Sequence, residues 1–202
     1  GNGESSGGGG EESSDTGPGT TAGVKRSGGR RSYSRGSAVF NGDRLAGVLN
    51  GEDTEILLMA MGKFEEGRIS YCDENGEYSF KLSQIRRPQI KLDISGDAPY
   101  AKMHVYLAAL VELDTAGNSL ARWDTVIRPT LEQYVESELK RVFEICRDAG
   151  SDAMGFGRSA CEEFGSVSAW RAYDWKSRYT GMDAEFEATI SPEDVQNLKG
   201  GR

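Results

Sequence analysis

The chain has 202 residues, with 32 aspartates and glutamates against 24 lysines and arginines and a net charge of −8. That balance argues against duplex nucleic acid as a partner, because phosphate binding relies on clustered lysine and arginine. One histidine and three cysteines without a Cys-x-x-Cys argue against a structural zinc site, and no apolar run approaches the ~20 residues that span a bilayer.

From Gly1 to about Arg35 the composition is Gly, Ser, Thr and charge, with too few apolar side chains to offset the entropy of ordering the backbone. Residues 1–33 are therefore expected to form a flexible linker or loop. Its acidic half (Glu4, Glu11, Glu12, Asp15) precedes a basic half (Lys25, Arg26, Arg30, Arg31, Arg35). The basic half reads either as solvated chain or as a contact for anionic lipid or cell-wall polymer. A single α+β domain is expected over 34–192, followed by a frayed polar tail over 193–202.

Residues 39–67 encode a hairpin delivered into a capped helix. Asn41-Gly42 lies between two apolar strands, and both residues tolerate the positive φ of a two-residue hairpin turn. Asn50-Gly51-Glu52-Asp53-Thr54-Glu55 then places a cap and carboxylates at the start of the run Ile56-Leu57-Leu58-Met59, where free N–H groups and the helix dipole favour them.

Residues 67–72 and 78–82 alternate around Asp73-Glu74-Asn75-Gly76, which predicts a second hairpin with a four- or five-residue loop. Strand pattern continues over 85–94, where Ile90, Leu92 and Ile94 share one face and Lys91 and Asp93 the other. After a turn at Gly96-Asp97-Ala98-Pro99, the uniformly apolar stretch 103–113 predicts a central strand.

From Pro129 the period changes. Leu131, Tyr134, Val135, Leu139, Val142, Phe143 and Cys146 recur at three- and four-residue steps, giving a long helix with Glu132, Glu136, Lys140 and Arg147 on its wet side. Asp152 to Gly157 turns into a further helical region holding Phe164, Trp170, Tyr173 and Trp175, and residues 182–190 alternate as a last half-buried strand. The sum is an α+β fold: an antiparallel or mixed β-sheet of about five or six strands, with one long helix and shorter helices packed on one face. The other face, or a sheet edge, is left for a partner.

Candidate chemistry is sparse. His104 lies in a strand among apolar neighbours, with no marked partner for a general base. Ser159-Ala160-Cys161 beside Glu162-Glu163 has only His104 to draw on for nucleophilic catalysis. Gly155-Phe156-Gly157 lacks the Gly-Lys-Ser/Thr ending of a phosphate loop and reads as a turn with Phe156 plugging the core. The carboxylate pairs Glu65-Glu66, Asp73-Glu74 and Glu162-Glu163 lack calcium-loop spacing and read as solvated faces. Cys72, Cys146 and Cys161 read as buried thiols, with a Cys146–Cys161 disulfide left open. Trp170 and Trp175 read as core, and Tyr173 and Tyr179 as either core or binding surface. No catalytic, cofactor-binding or metal residue is assigned.

Three stretches together resemble a known family. Ala38-Val39-Phe40, the run Gly47-Val48-Leu49-Asn50-Gly51-Glu52-Asp53-Thr54, and Asp152-Ala153-Met154-Gly155-Phe156-Gly157 followed by Trp170 and Trp175 are similar in order and spacing to the C-subunit of spore germinant receptors, the Ger(x)C lipoproteins. The resemblance covers roughly residues 34–190. Its motif positions are Gly47, Asn50, Glu52, Thr54, Gly155, Phe156 and Gly157, read as structural. It implies a non-enzymatic subunit acting in spore germination beside A- and B-type membrane subunits and other germination proteins. It also implies a place on the outer face of the spore inner membrane, reached through an N-terminal lipid anchor that this chain does not show, so that the chain reads as a C-terminal portion. Two other readings compete. A soluble small-molecule (germinant) binding domain would hold its ligand in an apolar pocket between long helix and sheet. A cell-wall hydrolase would need two acids with separated pKa values in one cleft, and no such pair is marked.

Overall fold

A computed structural model describes residues 24–25 and 36–193. Apart from Val24, Lys25 and Glu193, the expected linker and tail lie outside these residues. Strands β2 (Ser37–Asn41) and β3 (Arg44–Leu49) form an antiparallel ribbon. Its loop is Gly42-Asp43 rather than Asn41-Gly42, and only Gly42 takes a left-handed φ, of 68°. Asn41 stays in the strand, paired with Arg44, and its side chain lies against Gly150, where a Cβ would come within 2.5 Å of Asn41 Nδ2. Helix α1 (Gly51–Ala60) follows, capped as its sequence demands: the Asp53 N–H donates to Asn50 Oδ1 at 2.8 Å.

Strands β4 (Glu66–Asp73) and β5 (Gly76–Asp93) pair so that Asp73 faces Gly76, leaving Glu74-Asn75 as a two-residue loop, shorter than predicted. The Asp73 carboxylate makes the tight turn possible by accepting from Asn75 N at 2.8 Å. It is not a solvated acid: Arg122 donates to it at 2.6 Å, and Arg122 also donates to Tyr78 Oη at 2.8 Å. Arg122 thereby holds Asp73 well below the usual carboxylate range. What read as two segments, 78–82 and 85–94, is one strand of 18 residues bent at bulges, with Pro88 inside the last bulge, where no ladder N–H is needed.

Strand β6 (Tyr100–Asp114) is central, antiparallel to β5 and parallel to β7 (Asp183–Pro192). With β1 (Val24–Lys25) on β4, the mixed sheet runs β1-β4-β5-β6-β7. Helical residues fill one face. The long helix begins at Ser119 rather than at Pro129: α2 (Ser119–Arg122), a π-helical turn (Trp123–Ile127) and α3 (Arg128–Asp148) run without a break. A proline inside a helix forfeits its N–H, and the ladder immediately before Pro129 widens into the π turn that accommodates it. Short helices α4 (Phe156–Glu162), α5 (Val167–Tyr173) and α6 (Trp175–Tyr179) precede β7.

All seven apolar positions of the α3 stripe are buried. Glu132, Glu136 and Lys140 do more than face water. Along one side of α3 they reach the outer edge of β7: Ile190 N donates to Glu132 at 2.9 Å, Ala188 N donates to Glu136 at 3.0 Å, and Lys140 donates to the Ala184 carbonyl at 3.0 Å. Pro192, next in the same alternation, has no N–H to offer. The edge that would otherwise invite another strand is thus closed by side chains of the neighbouring helix.

Phe143 is the junction of this packing. It is fully buried and touches Phe156 and Phe186, each at 5.7 Å between ring centroids, and Tyr179 at 6.4 Å. Phe143→Ala should lower the unfolding free energy by about 3–5 kcal/mol in urea titration. A loss below about 1 kcal/mol would mean that these rings do not share one core.

Candidate functional site

The two sequence motifs converge on the C-terminal half of α3. At the helix entry, Thr54 donates its hydroxyl to the Asn50 carbonyl at 2.8 Å, and Glu52 stands exposed in the first turn. Buried Asp53 accepts from Arg141 of α3, which Glu138 also holds at 2.8 Å. Gly47 leaves little room: a Cβ there would lie 3.1 Å from Val39 Cγ2. Asp53 therefore ties α1 to α3, and Asn41 packs the ribbon against Gly150 just beyond the end of α3.

The second motif is organised by Asp152, which the sequence reading did not single out. Its Oδ1 accepts from Gly155 N at 3.1 Å and Phe156 N at 2.9 Å, and its Oδ2 accepts from Gly157 N at 2.5 Å and from Trp175 Nε1 at 3.1 Å. One carboxylate thus satisfies the start of α4 and fixes the indole of α6. Gly155 adopts φ 83°, while a Cβ on Gly157 would come 2.5 Å from Trp175 Nε1. Phe156 enters the core against Phe143. The legible signal was an aspartate just ahead of a glycine-led helix start. Trp175 and Tyr179 are buried and Trp170 and Tyr173 half-buried, stacked around Trp175 at 6.0 and 6.5 Å.

Burial pushes the Asp152 carboxyl above the usual carboxylate range, against the pull of its four donors. Burial also raises the Cys146 thiol, to about 11, with the charges of Asp152 and Asp53 adding to it. Cys146 is buried, whereas Cys72 and Cys161 are exposed and free, which corrects the buried reading for those two and leaves no Cys146–Cys161 disulfide.

The opposite sheet face carries no helix among the described residues, and polar side chains line it. His104 Nε2 lies 2.7 Å from Thr189 Oγ1, and its ring stacks on Tyr106 at 4.2 Å. Arg86 covers Tyr106 from the other side at 3.4 Å, and Tyr106 donates to Gln89 at 2.8 Å. His104 thus has partners that its sequence neighbours do not reveal, because Thr189 and Glu187 arrive from a strand distant in sequence. Glu187 stands 3.5 Å from His104 Nδ1 but 2.5 Å from Lys102. Its Oε1 pairs with Lys102, while its Oε2 faces His104 beyond ordinary hydrogen-bond length. Along α3 and the β7 edge, an open groove of about 470 Å³ is lined by Tyr100, Gln133, Glu136, Lys140, Asp183 and Phe186. Charged side chains rim it, although apolar atoms make up more of its wall than polar ones.

Among the described residues no three His, Cys, Asp or Glu side chains are grouped to hold a metal, and no helix is long and apolar enough to cross a membrane. The family described as spore germination B3/GerAC-like, C-terminal, matches residues 35–193. Among solved structures, the GerBC protein is similar in fold, with a TM-score of 0.58 at 15% identity over 75% of this chain and 48% of that one. The chain therefore spans about half the length of that relative. Among curated proteins none matches it.

Two measurements check this site. Asp152→Ala leaves buried N–H groups unpaired and should cost about 2–4 kcal/mol. A carboxyl raised in the folded state binds its proton more tightly there, so its contribution is fullest below the ordinary carboxyl pKa and wanes as pH rises through the raised value. The Asp152→Ala loss should therefore be larger at acid than at neutral pH, and a loss that grows with pH contradicts the account. In native protein a thiol reagent should label Cys72 and Cys161 promptly and Cys146 only on unfolding. Prompt labelling of all three would contradict the burial of Cys146.

Proposed function

The chain belongs to the spore germination B3/GerAC-like C-terminal family, and from that membership we propose that it is a portion of a germinant-receptor C-subunit, acting in spore germination by binding other receptor subunits rather than by catalysis. The match over residues 35–193, nearly all of the described fold, is the observation that carries this reading. The partners are the A- and B-type membrane subunits, and the place is the outer face of the spore inner membrane, with attachment through a lipid anchor on the intact protein.

The geometry supports a binding role in two ways. The motif positions Asn50, Thr54, Gly155 and Gly157 lie at helix starts, and their partners are backbone groups or the Asp152 carboxylate. Among the described residues, the sheet face without a helix offers a partner Arg86, Lys102 and His104, which are held in place by the buried Tyr106 ring, Glu185 and Thr189. Preorganised side chains lose little entropy on association.

A second reading, a soluble germinant-binding domain, draws on the α3–β7 groove. Its signature is a saturable rise in melting temperature with one member of a panel of amino acids, sugars and nucleosides.

Immobilised chain should recover two membrane proteins from detergent-solubilised spore membranes, and Arg86→Glu with Lys102→Glu should weaken that recovery by tenfold or more, about 1.4 kcal/mol. Recovery of neither protein, together with turnover of peptidoglycan fragments, would replace this reading with a hydrolase.

A further inference from the structure

The guard along the outer edge of β7 has one gap, and the α3–β7 groove lies beside it. Asp183 N–H donates to the Pro99 carbonyl and Glu193 N–H to the Ala109 carbonyl, so the odd-numbered residues of this stretch bond toward β6. Ala184, Phe186, Ala188 and Ile190 therefore turn their N–H and C=O groups outward. Ala184 is served twice: its N–H donates to Asp183 Oδ1 at 2.8 Å, and its carbonyl accepts from Lys140 at 3.0 Å. Ala188 and Ile190 donate to Glu136 and Glu132. Among the described residues no side chain bonds the N–H or the C=O of Phe186, and Phe186 lines the groove.

A gap one residue long selects its complement. In an antiparallel exchange pair a single residue supplies both the N–H and the C=O that meet the residue opposite. A parallel strand would have to supply them from two residues, on either side of the gap, where Lys140 and Glu136 already stand. The central residue of an antiparallel occupant points its side chain to the α3 side, which Gln133, Glu136 and Ser137 crowd, so a small residue fits there. Its two neighbours point the other way, opposite Glu185 and Glu187, where basic side chains pair best. The groove wall agrees in charge, with Glu136, Asp183 and Glu185 against Lys140 alone, and its 470 Å³ lies within the range of sites for short ligands.

We propose that the groove beside Phe186 docks an extended segment of a partner polypeptide, paired antiparallel to β7 at this one residue and carrying a basic, a small and a basic side chain in succession. This site is separate from the bare sheet face of the C-subunit reading, and it gives the groove a peptide in place of a free germinant.

The 202-residue chain tests it in two steps. In the free protein, amide exchange resolved by NMR should be about tenfold or more faster at Phe186 than at Ala188 and Ile190, whose N–H groups are held. Equal protection at the three overturns the proposal. Blocked peptides are then titrated. Acetyl-Lys-Ala-Lys-amide should shift the Phe186 amide resonance saturably, and N-methylation of its alanine should weaken binding about tenfold, because no N–H remains for the Phe186 carbonyl. Acetyl-Glu-Ala-Glu-amide should leave that resonance in place. Glu185→Lys should cut the advantage of the lysine peptide over the glutamate peptide about fivefold or more, a comparison made within one folded protein. A Phe186 resonance that no peptide moves overturns the proposal. Equal binding of the N-methylated peptide overturns it too, since the lysines would then meet carboxylates without strand pairing. None of these outcomes bears on the C-subunit reading, which is tested by recovery of the two membrane proteins.

Discussion

One helix has to do two incompatible-looking jobs, and the rest of the structure is arranged around it. At 21 residues, α3 is about 31 Å long, enough to bury a full apolar stripe on the sheet. The same helix turns Glu132, Glu136 and Lys140 sideways to the backbone of β7. Burial drives the helix onto the sheet, and the carboxylate–amide bonds decide where along the edge it stops. Glu136 is desolvated by this duty, which raises its carboxyl above the ordinary range. The arrangement tolerates that because an edge amide left without a partner would also be costly.

Both ends of the helix are then tied to the turns that the sequence places there. At the start, Arg122 joins Asp73 and Tyr78, fastening the β4–β5 hairpin. Near the end, Arg141 takes Asp53 from α1, and the chain leaves through the Asp152 turn, whose carboxylate holds both α4 and Trp175. These are charge-assisted bonds at places where chain direction changes, and apolar packing fixes direction poorly there. The stretches 50–54 and 152–157 fall at two of those corners.

Local chemistry was legible in the sequence, and partnership at a distance was not. The Asn50 cap, the α3 stripe and the alternation of β7 depend on neighbours within a few residues, and they could be read directly. The hairpin loops were misplaced or overlong because Asn41 packs against Gly150 and Asp73 is held by Arg122, residues far along the chain. The helix start was missed because Pro129 is an ordinary first-turn signal, and nothing local announces a π turn that carries the helix through it. His104 looked isolated for the same reason: Thr189 lies 85 positions away. Asp152 stood in plain sight, but four converging donors are visible only when α4 and α6 are in place.

The parallel pairing of β6 with β7 also shapes how the chain is made. Tyr100 meets Asp183 and Ala109 meets Pro192, so every one of these contacts closes a loop containing the long helix and all three short ones. Such contacts form late, because the entropy of closure falls due before any pairing rewards it. On the ribosome the last strand emerges after everything it must join. Until it docks, β6 is itself an open edge, and Glu132 and Glu136 have no amides to hold. A chain cut short before Asp183 would therefore lose its guard as well as a strand, and would expose the most apolar strand of the sheet to its own kind.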